Sequence, residues 1–461
     1  MLRNAFYKML NLQKGEFVLL LCSFIFMFLI FASYGILRPV RDALGLENGS
    51  ENLKWLFLAT FVTMIVFSLL AMWLSGFVKR KLYIDCIFVF FTLNLLCFYV
   101  AMRAISDTSP YFIHLSSVFY VWVSVFSLFI ISSAWSLLVD LYSKERSQRL
   151  FGIIIAGVSL GGIAGASAVN LLTKFNLQIH NFILISMLLL ALALVFKHFI
   201  VSATFKLLSK SDDSSNPLGA LRERFSKPIG SKNPLAGFSL IIKSPYLMTF
   251  MGFILLLTSV STFLYLEQSR VIEELFPKNM EGYKEMRASI FASIDFIVQS
   301  VSFVIQFFLT SRIVKYIGLK WLLSSLGVVI AFGFVWLAFV HSTPFPPAEP
   351  YILSIFGMDF TLYLDFLPIA VVMSIRRIGE YALIRPGREM LFVPLDSESK
   401  YKVKNFIDTV VYRAGDSLSA QVEGAIAKVS VVGVLFVGAG VSLAWSALGW
   451  YLGKRYEKEK R

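Results

Sequence analysis

Apolar residues gather into runs separated by short polar turns, and that rhythm sets the first expectation. Such runs begin near Phe17, Trp55, Leu82, Tyr111, Leu150, Asn181, Pro245, Ser289, Trp321 and Val429. Each matches the length of about 20 mostly apolar residues that a helix needs to cross a bilayer. Two further segments, around 367–394 and 404–427, sit where spans should be yet are crowded with charge. They hold Arg376, Arg377, Glu380, Arg385, Arg388, Glu389, Asp408, Arg413, Asp416 and Glu423. A charge facing lipid at a helix centre costs roughly 2.5–3.5 kcal/mol, while each Leu or Ile contributes only about 0.3–0.6 in return. Both helices are therefore expected to look inward, into a water-filled cavity where the charges meet one another or a solute. The pattern predicts an all-α polytopic membrane protein with twelve transmembrane helices.

One long polar interruption, 202–244, is rich in Ser, Lys, Asn, Pro and Gly, with six spans before it and six after. This predicts an N-terminal six-helix bundle over 1–201, a cytoplasmic linker over 202–244, and a C-terminal six-helix bundle with a tail over 245–461. Within the linker, 235–243 is short and amphipathic enough to lie on the membrane surface. Two six-helix halves joined by a long loop is the layout of the major facilitator type, whose halves rock around a midplane site. Short basic turns follow span two (LSGFVKRKLY) and span eight (TSRIVKYIGLKW), and the second resembles the basic loop of that type through Arg312, Gly318 and Lys320.

Composition agrees and narrows the options. The chain is 57% apolar with 45 phenylalanines, and its mean hydropathy is +0.72, values foreign to soluble proteins. The first run is too long for the apolar region of a signal peptide and meets Arg38-Pro39-Val40-Arg41-Asp42 without a small-residue cleavage site. The net charge of +14 is explained by topology: 28 of the 43 Lys and Arg residues fall on the side of the amino terminus and nine on the other. That bias predicts both termini in the cytoplasm of a bacterial inner membrane and leaves no role for nucleic acid. Cys22, Cys86 and Cys97 lack metal-ligand spacing and read as packing residues. No nucleotide-hydrolysis loop, HExxH or nucleophile elbow occurs, so neither an enzyme nor a cofactor is expected.

Several constellations could carry chemistry. Arg376 and Glu380 are four apart, as are Arg385 and Glu389, so each pair can meet on one helix face. Arg377 and Arg388 share a stripe with Tyr381 between them and show no evident intrahelical partner beyond Glu380. Such guanidiniums either grip an anion with paired hydrogen bonds or tie helices together. Pro386 is expected to kink this helix. On span eleven Asn405, Thr409, Tyr412, Asp416, Ser419 and Glu423 form one polar stripe, with Arg413 close enough to pair with Asp416. Asp416 and Glu423 could carry protons or pair with span ten. Arg38, Arg41 and Asp42 close span one at an interface, and span seven ends at another in 265–268. Asp295, Gln299 and Gln306 mark one face of span eight. Gly157, Gly161 and Gly165, four apart, suit close helix packing or a hinge.

The block EYALIRPGREMLFVPLD, continued by KVKNFIDTVVYRAGDS, resembles the nucleotide transporter family of ATP/ADP antiporters from intracellular bacteria and plastids. Tyr381, Ala382, Leu383, Pro386, Glu389, Met390, Pro394, Leu395, Asp396, Lys402, Lys404, Asp408 and Val410 carry the match. ILRPVRD at the end of span one is similar to the family's I-L-R-D-T-K-D through Arg38 and Asp42, with Arg41 in place of lysine. The resemblance implies exchange of ATP for ADP, or nucleotide import with protons. Asp416 and Glu380 stand where the family has lysine, Arg385 where it has an acid, and Ser124 lies near its span-four acid. With five basic and five acidic residues in spans ten and eleven, a polyphosphate meets no surplus of arginine, so a divergent member with another solute is in view.

Together these readings predict a secondary active transporter working by alternating access. Arg38, Arg41, Arg377, Tyr381, Arg388 and Arg413 would bind the solute; Glu380, Glu389, Asp295, Asp408, Asp416 and Glu423 would couple or gate. The expected partners are a small anionic solute, a nucleotide under the resemblance, and the lipid bilayer, with the chain a monomer. A proton-coupled carrier of another anionic metabolite or drug is the alternative, and a non-transporting membrane sensor or assembly factor is the alternative of another class.

Overall fold

The computed structural model describes residues 13, 15–75, 77, 79–209, 219, 223, 241–308, 318–343, 351–355, 358–392, 403, 404 and 406–459. Arg312, Pro394, Leu395, Asp396, Lys402, Asn405 and most of the linker, including 235–240, lie outside these residues, as does the side chain of Thr409. Among the described residues nine long helices come first: α1 (Glu16–Gly45), α2 (Leu53–Ser75), α3 (Arg80–Ala104), α4 (Pro110–Leu141), α5 (Lys144–Lys174), α6 (Ile179–Leu208), α7 (Pro245–Leu275), α8 (Tyr283–Phe308) and α9 (Leu319–Ser342). An antiparallel hairpin comes next, β1 (Tyr351–Ile355) and β2 (Met358–Leu362), with Leu353 opposite Phe360. Then come α10 (Leu367–Gly379), α11 (Arg385–Met390), α12 (Tyr412–Ala427) and α13 (Val431–Glu459). Among the described residues, ten helices are long and apolar enough to cross a membrane. The charged rods 367–390 and 406–427 complete the expected twelve, each just over 30 Å long at about 1.5 Å per residue.

The helix starts reflect local chemistry. Ser109, Ser143 and Ser244 cap α4, α5 and α7 by accepting from the backbone N–H groups of Tyr111, Arg146 and Leu247. Pro110 and Pro245 occupy first-turn positions, where no N–H is needed. Three boundaries differ from those expected of the sequence. Span eight starts at Tyr283 rather than near Ser289, and α7 continues past 265–268 to Leu275. Likewise α1 runs on to Gly45 with Pro39 inside it, so Arg38, Arg41 and Asp42 lie within the helix and not beyond it. At the ends of α1 and α7 the charges are paired, Arg41 with Asp42 and Arg270 with Glu267, and a paired charge does not end a helix.

Contacts divide the chain into two compact units, Met1–Asp42 with Leu70–Lys232, and Ala43–Leu69 with Asn233–Arg461. In the first unit the glycine stripe of α5 lies against α1: a Cβ on Gly157 would stand 2.8 Å from the Phe24 carbonyl oxygen, and one on Gly161 or Gly165 would collide with that of Phe28 or Ala32. Close packing is therefore the stripe's role. Ser33 and Ser186 join α1 to α6 at 2.6 Å, and Lys197 meets Asp85 across α6 and α3 at 2.5 Å. In the second unit α13 packs along α9, where Ser446 donates to the Ser324 carbonyl at 2.7 Å and Trp321 meets Trp450 edge to face. The α12 rod packs against α7 through Ser259 and Ser419, 2.7 Å apart.

Candidate functional site

The two charged rods bury Arg376, Arg377, Glu380 and Glu423 in the second unit, while Arg385, Glu389 and Asp408 are exposed. On α12 Leu418 and Val422 are exposed at 63% and 52%, whereas Ser419 and Glu423 on the other face are buried. On α10 Ile375 is exposed while Arg376, Arg377 and Glu380 are buried. The apolar faces suit lipid, and the charged faces meet one another.

Each rod contains one π-helical turn, Glu380–Ile384 and Ile407–Val411. The first lies directly before Pro386, so the disturbance expected there takes the form of a widened turn: proline has no N–H to donate to the residue four back. The extra residue re-aims every side chain after it. Glu380 keeps its predicted partner, Arg376, at 2.8 Å, and accepts from the Tyr412 hydroxyl at 2.9 Å. Arg385 does not pair with Glu389. It stands 3.8 Å from Glu380 and lies over the Tyr381 ring at 4.3 Å, while Glu389 pairs with Lys404 at 2.5 Å. The π-helical turn brings residues five apart onto one face, which sets Arg385 beside Glu380.

Arg377 and Arg388 have acidic partners beyond their own helix, in keeping with the interhelical role left open for them. Arg377 meets Asp295 of α8 at 2.5 Å. Arg388 meets Asp408 at 3.3 Å and Glu389 at 3.9 Å. Gln306 donates to the Tyr381 carbonyl at 3.1 Å. Arg413 and Asp416 are 3.6 Å apart as the spacing implied, and Thr262 of α7 donates to Asp416 at 3.3 Å. Glu423 pairs with Arg270, which also holds Glu267 at 2.7 Å. Arg270 was missed in the sequence, although its spacing of three from Glu267 was the available signal.

Candidates at the end of α1 gather separately, in the first unit. Arg41 donates twice to Asp42, at 2.6 and 2.9 Å, and once to Ser124 at 3.3 Å, with its guanidinium 5.0 Å from the Tyr120 ring centre. Arg38 is half-buried one turn earlier. Ser124 thus sits beside the Arg41 guanidinium.

The sequence profile of the Major Facilitator Superfamily matches residues 19–379. The chain belongs to the Major Facilitator Superfamily. It is accordingly a multi-pass membrane protein, with the family and fold of transporters. The profile stops at Gly379, so most of the charged block lies beyond it. No curated protein matches the chain. Among solved structures it is similar to a POT family transporter in complex with 5-aminolevulinic acid, with 12% identity over 95% of this chain and 96% of that one and a TM-score of 0.62. It is also similar to the nucleoside transporter NupG, with 15% identity over 95% and 99% and a TM-score of 0.56. A third is the xylose transporter XylE from E. coli in an inward-open conformation, with 11% identity over 94% and 95% and a TM-score of 0.58. At such identities the likeness establishes the shared fold.

Proposed function

We propose that this Major Facilitator protein is a secondary active transporter of a small anionic solute, working by alternating access in a bacterial inner membrane with both termini cytoplasmic. The observation that carries the reading is the network of acid–base pairs linking α7, α8, α10 and α12. Buried ion pairs are poor stabilisers, often matched by apolar replacements of equal volume, so a whole network inside a membrane helix bundle is better explained by use. Every arginine of the two rods already has an acidic neighbour. A solute carboxylate or phosphate would therefore bind by exchange, taking over one arginine from its resident acid. Arg377, Arg388 and Arg413, with Arg38 and Arg41 in the other unit, are the guanidiniums offered; Glu380, Glu389, Asp295, Asp408 and Glu423 are the acids that yield or gate. Asp416 is the acid best suited to coupling, because its contacts, at 3.6 and 3.3 Å, are longer than the two that hold Glu380 most closely, at 2.8 and 2.9 Å. Displaced from Arg413, it would take up a proton.

The second reading is ATP/ADP exchange, favoured by Tyr381, Pro386, Glu389, Met390 and Asp408, which match the nucleotide antiporters at their positions. The two are separated in proteoliposomes. Uptake of labelled ATP into vesicles loaded with ADP supports exchange; uptake of a small organic anion driven by a pH gradient and abolished by Asp416→Asn supports the first reading. Absence of both fluxes, across a panel of phosphorylated metabolites and organic acids, refutes transport of an anion.

A further inference from the structure

Residues 46–52, directly after α1, are fixed to the ends of α7 and α8 by a cluster that the transport reading does not use. Two short 3-10 turns, Leu46–Asn48 and Ser50–Asn52, are joined by Gly49 at φ +83°. Glu47 is 3% exposed and Arg287 of α8 is fully buried. The Tyr283 hydroxyl donates to Glu47 Oε2 at 2.9 Å, and Lys278 donates to the Glu47 main-chain oxygen. Arg287 donates to the carbonyls of Phe276 and Leu46, at 2.9 and 3.5 Å, and its guanidinium lies 4.9 Å from the Tyr283 ring centre. Ser50 N donates to Glu273 Oε2 at 2.7 Å.

Cations surround Glu47 at this point. Lys278, Lys284 and Arg287 all act on the Glu47 carboxylate, and the second acid acting on Arg287 is Glu273. Arg287 and Lys284 are both buried. The Glu47 pair is also poorly made: Oε1 stands 3.9 Å from Arg287 Nη1, and neither Glu47 Oε1 nor Arg287 Nη2 has a hydrogen-bond partner among the described residues. A guanidinium grips an oxyanion best through two parallel hydrogen bonds. Glu47, tethered by its short segment, reaches Arg287 with neither. A free oxyanion carrying one or two charges is not so constrained.

We propose that Lys278, Lys284 and Arg287 form a reception site for a soluble carboxylate or phosphate, filled in this structure by Glu47 as a stand-in. Arrival of the anion displaces Glu47 and loosens residues 46–52, so the solute's own charge releases the segment on the face where α1 ends. The inference rests on the transport reading, since it assigns the anion's first contact with the protein. A ligand that prefers the released state shifts the population toward it only by its difference in affinity.

The test uses the full chain with Cys22, Cys86 and Cys97 changed to serine and Ser50→Cys added, in phosphatidylcholine vesicles. Labelling by a membrane-impermeant maleimide is followed against inorganic phosphate, with chloride at matched ionic strength as control. Labelling should accelerate with phosphate and saturate. Glu47→Gln should label about tenfold faster without phosphate, the equivalent of one charge-assisted hydrogen bond, and lose the response. Lys278→Gln, at an exposed side chain, should need several-fold more phosphate and decides the matter if the Glu47 variant does not fold. Equal rates in chloride and phosphate overturn the proposal, as does a response seen only when phosphatidylglycerol is added. Phosphate-dependent labelling without flux of any anion would overturn the transport reading and leave this site standing; flux without phosphate-dependent labelling would do the reverse.

Discussion

Arg377 and Asp295 expose only 9% and 10% of their side chains, so each charge depends on the other for solvation. Removing one partner of such a pair typically destabilises by about 3–5 kcal/mol, because the survivor is left buried and alone. Arg377→Met should therefore lower the thermal unfolding midpoint in detergent sharply, while Arg377→Met with Asp295→Leu should recover most of the loss. A double variant no more stable than the single one would show that Asp295 does not depend on Arg377. At this scale the sequence disclosed only what lies within one helix. Arg376 and Glu380 were legible as neighbours four apart, and Arg413 and Asp416 as neighbours three apart. The partner of Arg377 was not, since α8 is more than 70 positions away and nothing in a single sequence couples the two. Sequence alone therefore left Arg377 open to gripping an anion or to tying helices together, and could not name Asp295 as its partner.

Among the elements, α5 and the charged rods show opposite degrees of legibility. The spacing Gly157–Gly161–Gly165 announced a close helix contact, and α1 supplies it. Gly161→Ala should push the Phe28 backbone away and destabilise by about 1–3 kcal/mol, as overpacking usually does. Gly152→Ala, with nothing within 4 Å of the added methyl, should be neutral or stabilising by about 0.5–1 kcal/mol through the better helix former. Equal effects of the two substitutions on the unfolding temperature would remove the packing account. The π-helical turns could not be read in the same way. A helical plot assumes one period throughout, and a turn with an extra residue brings positions five apart together, so Arg385 is found beside Glu380, a pair that a plot at 3.6 residues per turn does not make. Pro386 marked the place but not the form of the irregularity.

For the whole molecule, lipid makes the pattern easy to read and the solute hard. A bilayer demands long apolar stretches at fixed length, so ten spans could be located within a few residues of their observed starts, and the charged rods could be assigned by elimination. Solute choice depends on how paired charges trade partners, which neither spacing nor composition encodes. Orientation stands between these extremes. Lysine and arginine favour the cytoplasmic side of short loops, and here 28 lie on the side of the amino terminus against nine on the other. With twelve crossings the carboxyl end returns to that same side. A fluorescent protein joined after Arg461 should thus fluoresce, and alkaline phosphatase joined there should be inactive. Phosphatase inserted at Asn176, in the turn between α5 and α6, should be active outside. The reverse activities would invert the assignment, and with it the side from which an anion reaches Lys278, Lys284 and Arg287, turning an uptake step into a release step. The fusion result therefore fixes the direction of every charge movement proposed for the anion, because residues 46–52 and the α7–α8 turn must share whichever compartment receives the phosphatase at Asn176.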